Sequence, residues 1–419
     1  MQTWRDEADT GVRVSTASRV RGDGAVHGTR TLLFAAPIRS RGGVDKVALT
    51  LAAAAQSRGY RGVAAFPRMP ETESLVLDFA AFGVPCLTVD IGEASGRGLV
   101  RRVRQIRPLV RMLGVLRRVR PDAVHLSLGW TTDGLGLLMA CAITKTPTVV
   151  AFQLVHRQID QSTPDRRLYA WFRRRRQKWV TPSDNNRRLL AGSFAVDPSQ
   201  ISVVHTATGV REPSLEVPTC GDHGVRSDVR RELGLEDEAK LALTVARLAP
   251  QKGYRSLLPT VPHLVKERQD LHFVWVGDGP QRGEIEARLR EYGVERRVHL
   301  LGHREDIPRL MGAADLFVFP TLYEGQPLVL SQAMSQKVPI VCSAASGIPE
   351  MLRNGVDAVL VRVGDSCDLL EGLRWALDHP SEMRARAAAA SERLREFGET
   401  RMIEETFAHL DSFFAVTDV

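Results

Sequence analysis

Short apolar runs alternate along the chain with longer stretches whose apolar residues recur every three or four positions. Thr31–Pro37, Gly62–Phe66, Pro85–Val89, Ala123–Leu126 and Thr148–Phe152 are short, often β-branched and flanked by helix-like or turn-rich sequence, so each predicts a buried strand. Leu241–Val245, His272–Val276, Arg297–Leu301, Leu316–Phe319, Pro339–Cys342 and Ala358–Val361 form a second series with helical patterns between them. Such alternation predicts parallel sheets joined by right-handed crossovers, and two series predict an α/β protein of two Rossmann-like domains. Pro213, Pro218, Gly221 and Gly224 interrupt every period between them. The expected organisation is a flexible extension over 1–29, an N-terminal domain over 30–210, a linker over 211–228 and a C-terminal domain over 229–396.

Composition narrows the function without naming it. The 419 residues suffice for two cores, and 43% hydrophobic with 25% charged residues excludes a disordered or fibrous chain. Lysine and arginine number 57 against 49 acids, a net charge of +8, which directs attention to anionic partners. No helix-turn-helix, zinc finger or RNA-binding aromatic signature accompanies that charge, so nucleic acid is not expected. The five cysteines are scattered and form no CxxC pair, so neither a disulfide framework nor a zinc site is encoded, and a reducing cytoplasm is expected. The most apolar stretch, Gly134–Phe152, is interrupted by Thr144-Lys-Thr-Pro-Thr148, short of the roughly 20 apolar residues a membrane span requires.

The densest chemistry lies in the second half. After the strand ending at Phe319, a loop carries Glu324, Gly325 and Gln326, and a helix starts near Pro327 and Leu328. A helix start beyond the carboxyl end of a parallel strand offers N–H groups to phosphate, and a carboxylate beside it accepts sugar hydroxyls. Arg247 and Lys252 follow the domain's first strand, five residues apart, suited to bracketing a diphosphate. Ser346-Gly-Ile-Pro-Glu350 follows another strand end.

In order, Gly42-Gly43, Pro121-Asp122, Ser183, Gly209-Val210, Arg247, Lys252-Gly253, Gly277-Asp278-Gly279, Gly302, Asp306, Asp315, Glu324-Gly325 and Gly347-Ile-Pro-Glu350 resemble the family 4 glycosyltransferases over roughly residues 30–415. The resemblance implies a GT-B fold with two Rossmann-like domains facing a central cleft, a nucleotide-sugar donor, transfer with retention of anomeric configuration and no required metal or resident cofactor. It implies that Arg247 and Lys252 hold the donor diphosphate and Glu324 the sugar hydroxyls. Gly42, Gly43, Gly277, Gly325 and the backbone from Gln326 through Pro327 to Leu328 would approach the donor, with Gln326, His303 and Arg304 influencing its choice. The segment 397–419 resembles the family's last helix, which crosses back onto the first domain. Gln332 stands where the family has a second glutamate for the ribose hydroxyls, and the exchange is expected to weaken that contact by about 1–2 kcal/mol. Gln153 stands where many members place a histidine near the acceptor, and His156, three residues on, is the candidate replacement. Thr208 and Ala246 replace a common asparagine and glycine.

Two basic stretches are candidates for the acceptor side. Between Gly96 and Asp122, Leu99, Val103, Ile106, Val110, Leu113 and Leu116 follow helical spacing among nine arginines, with Pro108 a kink or break. Thr163-Pro-Asp165 is expected to cap a helix that carries Trp171 and Phe172 beside Arg173, Arg174, Arg175 and Arg176. Either stretch is a core-facing helix with a solvated basic face, or a dock for an anionic bilayer. The expected function is transfer from a UDP- or GDP-linked sugar to a lipid-linked or surface saccharide of envelope or extracellular polysaccharide, in the cytoplasm at the inner membrane face. A soluble small-molecule acceptor is the alternative. Nucleotide-sugar epimerisation or hydrolysis, or a silent sugar-nucleotide-binding module, are the readings of other classes. Alanine at Lys252 or Glu324 is expected to abolish transfer and leave the fold intact.

Overall fold

The computed structural model describes residues 13–14, 29–38, 41–92, 103–207 and 223–415. The chain divides into two compact units, residues 1–208 with 400–419, and residues 209–399.

Eight strands build the sheet of the first unit: β1 (Arg13–Val14), β2 (Thr31–Ala35), β3 (Arg61–Phe66), β4 (Cys86–Thr88), β5 (Ala123–Leu128), β6 (Thr148–Phe152), β7 (Gln177–Thr181) and β8 (Ile201–Val203). Their order is β1-β4-β3-β2-β5-β6-β7-β8, with every neighbour parallel except β1, which runs antiparallel to β4. One face is covered by the helices Gly43–Ser57 and Thr72–Ala81 and by the C-terminal helix Glu399–Asp411, through Val47, Leu51, Phe79, Met402, Phe407 and Leu410. The other carries Ile106–Val119, Leu135–Thr144, Thr163–Arg173 and Asp184–Phe194.

The second unit has six parallel strands: β9 (Lys240–Val245), β10 (Leu271–Val276), β11 (Val298–Gly302), β12 (Leu316–Phe319), β13 (Ile340–Ser343) and β14 (Val359–Val361). Their order is β11-β10-β9-β12-β13-β14. The order of successive strands reverses between β9 and β12, and ligands of such sheets bind beyond the carboxyl ends of the strands at that point. Both faces are covered by helices, so these strands are nearly continuous apolar runs.

The pattern located every strand it predicted to within a residue or two. It missed β7 and β8, where the first mixes Gln177 and Lys178 with apolar residues behind an arginine run and the second has three residues. The extension expected over 1–29 contributes the edge strand β1. The linker expected over 211–228 is corrected at its end. Helix His223–Glu232 already belongs to the second unit, because Arg226 and Arg230 reach Asp315 at 2.7 and 2.8 Å, and Arg230 is fully buried. The rest of that segment, with Gly209-Val210, lies outside the described residues.

Candidate functional site

The loops after β9 and β12 meet at the switch point of the second unit. Gly253 makes this approach possible. Its φ of +71° is left-handed, and a Cβ there would lie 1.8 Å from the Pro320 carbonyl oxygen. The same tightness holds Gly277, φ +130°, where a Cβ would stand 2.2 Å from Ala246 O. Gln251 ties the loops together: its carbonyl accepts from Leu322 N–H at 2.8 Å and lies 3.1 Å from Thr321 Oγ1, and its Nε2 donates to Tyr323 O at 2.9 Å.

On this frame Lys252 Nζ stands 2.5 Å from Glu324 Oε1, with the two side chains 17% and 9% exposed. Thr321 Oγ1, wholly buried, donates to the same carboxylate oxygen at 2.8 Å, and Glu324 N–H donates to Ser346 Oγ at 3.2 Å. Ser346 takes a left-handed φ of +49° to place that hydroxyl. Lys252 Nζ also lies 5.3 Å from the centre of the Phe319 ring. Leu330 and Ser331 N–H make the first bonds of the helix Leu328–Ser335, to Pro327 O, so the N–H groups of Leu328 and Val329 lie ahead of the ladder. Arg247 is exposed and makes no ion pair among the described residues.

A cation and an anion are therefore presented together beside a helix start, with an exposed guanidinium after the same strand. An incoming phosphate can take the cations and the helix N–H groups, while hydroxyl donors take the carboxylate. Because the pair is mostly buried, removing either partner strands the other at a cost of about 3–5 kcal/mol. Alanine at Lys252 or Glu324 therefore costs stability, and isosteric replacements are the cleaner probes.

Other expected residues are placed as follows. Gly325, Gln326 and Pro327 are buried at the turn into the helix, and Gln332 is half-buried on it. His303 is exposed. Arg304 is engaged by Asp306 and Glu232, each at 2.7 Å, and this network holds Asp306 down at about 2. The motif acids Asp306 and Asp315 thus serve architecture. In the first unit Gly43 opens the helix Gly43–Ser57 after β2, and Gly42 N–H donates to Asp45. Gln153 lines a small, partly open cavity of about 10 Å³ with His125 and Thr206. His156 is half-buried edge-on to Trp130, their ring centres 5.3 Å apart, and its basicity is lowered by burial and by Arg157.

The basic stretches depart from expectation in three respects. Ser162, not Thr163, caps the helix Thr163–Arg173, its Oγ accepting from Asp165 N–H. Phe172 is wholly buried against Tyr169 and cannot face a membrane, and half-buried Trp171 lies under the Arg175 guanidinium. Arg173 bonds Gln200 and Arg176 bonds Phe413 O, and Arg174 and Arg176 are exposed. In the other stretch, 96–102 lies outside the described residues. The helix Ile106–Val119 holds Pro108 in its first turn and buries Pro108, Met112, Val115 and Leu116, so that Val103, Ile106 and Val110 stand exposed, against the core-facing reading of their stripe.

Two family models match the chain. One described as "Glycosyl transferase 4-like domain" covers residues 42–207, and one described as "Glycosyl transferases group 1" covers residues 225–394. The UDP-Gal:alpha-D-GlcNAc-diphosphoundecaprenol alpha-1,3-galactosyltransferase of Escherichia coli is 25% identical over 317 residues, 73% of this chain and 76% of that protein. The alpha-D-kanosaminyltransferase of Streptomyces kanamyceticus is 28% identical over 39% of this chain and 42% of its own length. Among solved structures, a glycosyltransferase of Rickettsia africae superposes with a TM-score of 0.77 at 14% identity, over 93% of this chain and all of that one. Anabaena HepE, solved in complex with UDP, superposes at 0.73 and 18% identity, over 91% of this chain and all of that one.

Proposed function

From the premise that this chain belongs to the family 4 glycosyltransferases and has their GT-B fold, we propose that it transfers a sugar, with retention and without a metal, from a nucleoside diphosphate to a hydroxyl of a lipid-linked saccharide. The observation that carries the donor half is the Lys252–Glu324 pair at the switch point of the second sheet. Donor binding recruits Lys252 and Arg247 to the diphosphate and Glu324 to sugar hydroxyls, and the helix start at Leu328 adds its dipole. The bond from the anomeric carbon to the phosphate oxygen breaks with its electron pair on that oxygen. The acceptor oxygen bonds the same carbon on the same face, and its proton passes to the departing phosphate oxygen. Neither a protein nucleophile nor a resident cofactor enters this scheme.

UDP is the first nucleotide to test, since the Escherichia coli relative is named for UDP-Gal and HepE was solved with UDP. The lipid-linked acceptor is favoured because that relative aligns over 73% of this chain, whereas the kanosaminyl- and 2-deoxystreptamine glucosyltransferases align over 39% and 44%. Those two support the soluble acceptor as the second reading.

A thermal-shift panel of UDP, GDP, ADP and dTDP with their sugars tests the donor, with stabilisation by the uridine compounds expected. Glu324→Gln keeps the shape and a partner for Lys252 but loses the charge, and turnover should fall about 10²-fold with melting little changed. Near-normal turnover in that variant overturns the assignment. Transfer to an aminocyclitol but to no diphosphoprenyl saccharide selects the second reading.

A further inference from the structure

Trp130 is the most exposed tryptophan among the described residues, at 38%. Trp179 and Trp275 are core, and Trp171 and Trp375 lie under the guanidinium groups of Arg175 and Arg386. Trp130 stands on the loop that follows β5, and the place of that loop in the sheet gives its exposure a meaning. From β2 the chain moves outward through β3 to β4, then returns to β5 on the other side of β2. The order of successive strands therefore reverses between β2 and β5, and a parallel sheet takes its ligands beyond the carboxyl ends of the strands at that point. There the loop after β2 leads to the helix start at Gly43, and the loop after β5 brings Trp130.

The backbone holds this indole in place. Trp130 N–H donates to Asp133 Oδ2 at 3.0 Å, Asp133 N–H donates back to Trp130 O at 3.1 Å, and Asp133 is buried. Gln153 N–H donates to Leu128 O at 2.8 Å, which fastens the start of the next loop to the end of β5. That next loop carries half-buried His156, whose ring stands at 87° to the indole with the ring centres 5.3 Å apart. The two rings form a right-angled corner with an apolar floor and a wall that hydrogen-bonds. Burial and Arg157 lower the proton affinity of His156, so the wall is a neutral imidazole with one donor and one acceptor nitrogen.

We propose that Trp130 is the platform for the acceptor: the hydroxyl that receives the sugar belongs to a six-membered ring whose face of axial C–H bonds packs on the indole, while His156 meets a hydroxyl at the edge of that ring. An indole is a large, flat and rigid apolar surface that costs little entropy to order, and it matches the C–H face of a pyranose or a cyclitol. An open-chain polyol or a lipid alcohol has no such face. The inference deepens the glycosyl-transfer reading and rests on it. A saccharide and an aminocyclitol share the ring chemistry, and the probes below separate them.

Two measurements on the full chain test it. In the first, the indole N–H resonance of Trp130, identified by its absence from Trp130→Phe, is followed in the isotope-labelled, UDP-saturated protein as N-acetylglucosamine, methyl glucoside, 2-deoxystreptamine, ribitol and glycerol are added in turn. The ring compounds are expected to shift it at millimolar concentration, and ribitol and glycerol to leave it in place. A response to the sugars and not to 2-deoxystreptamine selects the saccharide, and the reverse selects the aminocyclitol. In the second, transfer is assayed to a diphosphoprenyl N-acetylglucosamine and to 2-deoxystreptamine. Trp130→Ala should raise the acceptor KM at least about tenfold with the donor KM unchanged, and Trp130→Tyr should recover most of the loss. A merely structural Trp130 would instead move both KM values together with the melting temperature. Where neither acceptor turns over, the indole resonance alone decides. The proposal is overturned if no ring compound shifts that resonance, if ribitol shifts it as far, or if Trp130→Ala keeps its acceptor KM. Loss of the UDP response in Trp130→Ala alone would assign the indole to the nucleotide and overturn it too. Each of these failures leaves the donor reading standing, whereas loss of the UDP response in the unmodified chain would remove the donor reading itself.

Discussion

The Glu324 carboxylate is held by two neighbours, the ammonium of Lys252 and the hydroxyl of Thr321, both on the same oxygen. Thr321 is wholly buried, and its one hydroxyl proton goes to the nearer acceptor, this carboxylate at 2.8 Å, with the Gln251 carbonyl at 3.1 Å. Thr321→Val keeps the volume and deletes the bond to the carboxylate. It should lower kcat/KM about tenfold, as expected for a charge-assisted hydrogen bond worth about 1.5 kcal/mol, with UDP itself bound as before. A variant with unchanged kcat/KM would show that Lys252 alone positions the acid. Gln332 gives the opposite direction. Gln332→Glu restores a charged acceptor on the half-buried face of the helix Leu328–Ser335, and steady-state kinetics should show the donor KM falling by about tenfold. The chemistry of these residues could be read from their order in the chain; the pairing of Lys252 with Glu324 could not, because 72 residues separate them.

Among the elements, the β9 and β12 loops are held by a backbone contact that only glycine permits. Gly253→Ala would have to move Pro320 or leave the left-handed region, at a cost above about 2 kcal/mol. The expected result is a lower melting temperature together with loss of the UDP response, since the loops carrying Lys252 and Glu324 separate; an unchanged UDP response would show that the contact is dispensable. The helix Ile106–Val119 shows where periodicity misleads. Two apolar stripes run along it, one through Val103, Ile106 and Val110 and one through Pro108, Met112, Val115 and Leu116. Only the second meets the sheet, and local sequence holds no record of which side the sheet occupies.

At the scale of the molecule, each unit holds a histidine whose proton affinity is lowered: full burial brings His125 down to about 4, and partial burial, Arg297 and His299 do the same for half-buried His272. His125 lies on β5 between the Phe34 ring and Ser127, neutral in the folded unit. Its folded pKa lies below the unfolded 6.5, so the stability it contributes is fully present above about pH 6.5 and is lost as pH falls from there to about 4. Over that window the slope approaches about 1.4 kcal/mol per pH unit, and His125→Gln should flatten the acid limb of the melting profile. An unchanged profile would mean that His125 is already protonated in the folded state.

By itself the sequence determined the alternation of strand and helix, hence two parallel sheets of Rossmann type, and the family to which its spaced motifs belong. These are local or ordered features, fixed by burial on both sheet faces and by glycines and charges at set intervals. Tertiary structure alone decided the rest: that Lys252 and Glu324 neutralise each other, that Asp306 and Asp315 are architectural, that Phe172 is core, and that Val103, Ile106 and Val110 face outward. Each depends on which distant segment packs against a residue, and that is set by the topology of the sheets. A one-dimensional pattern gives a helix its faces but does not say which of them the sheet will cover.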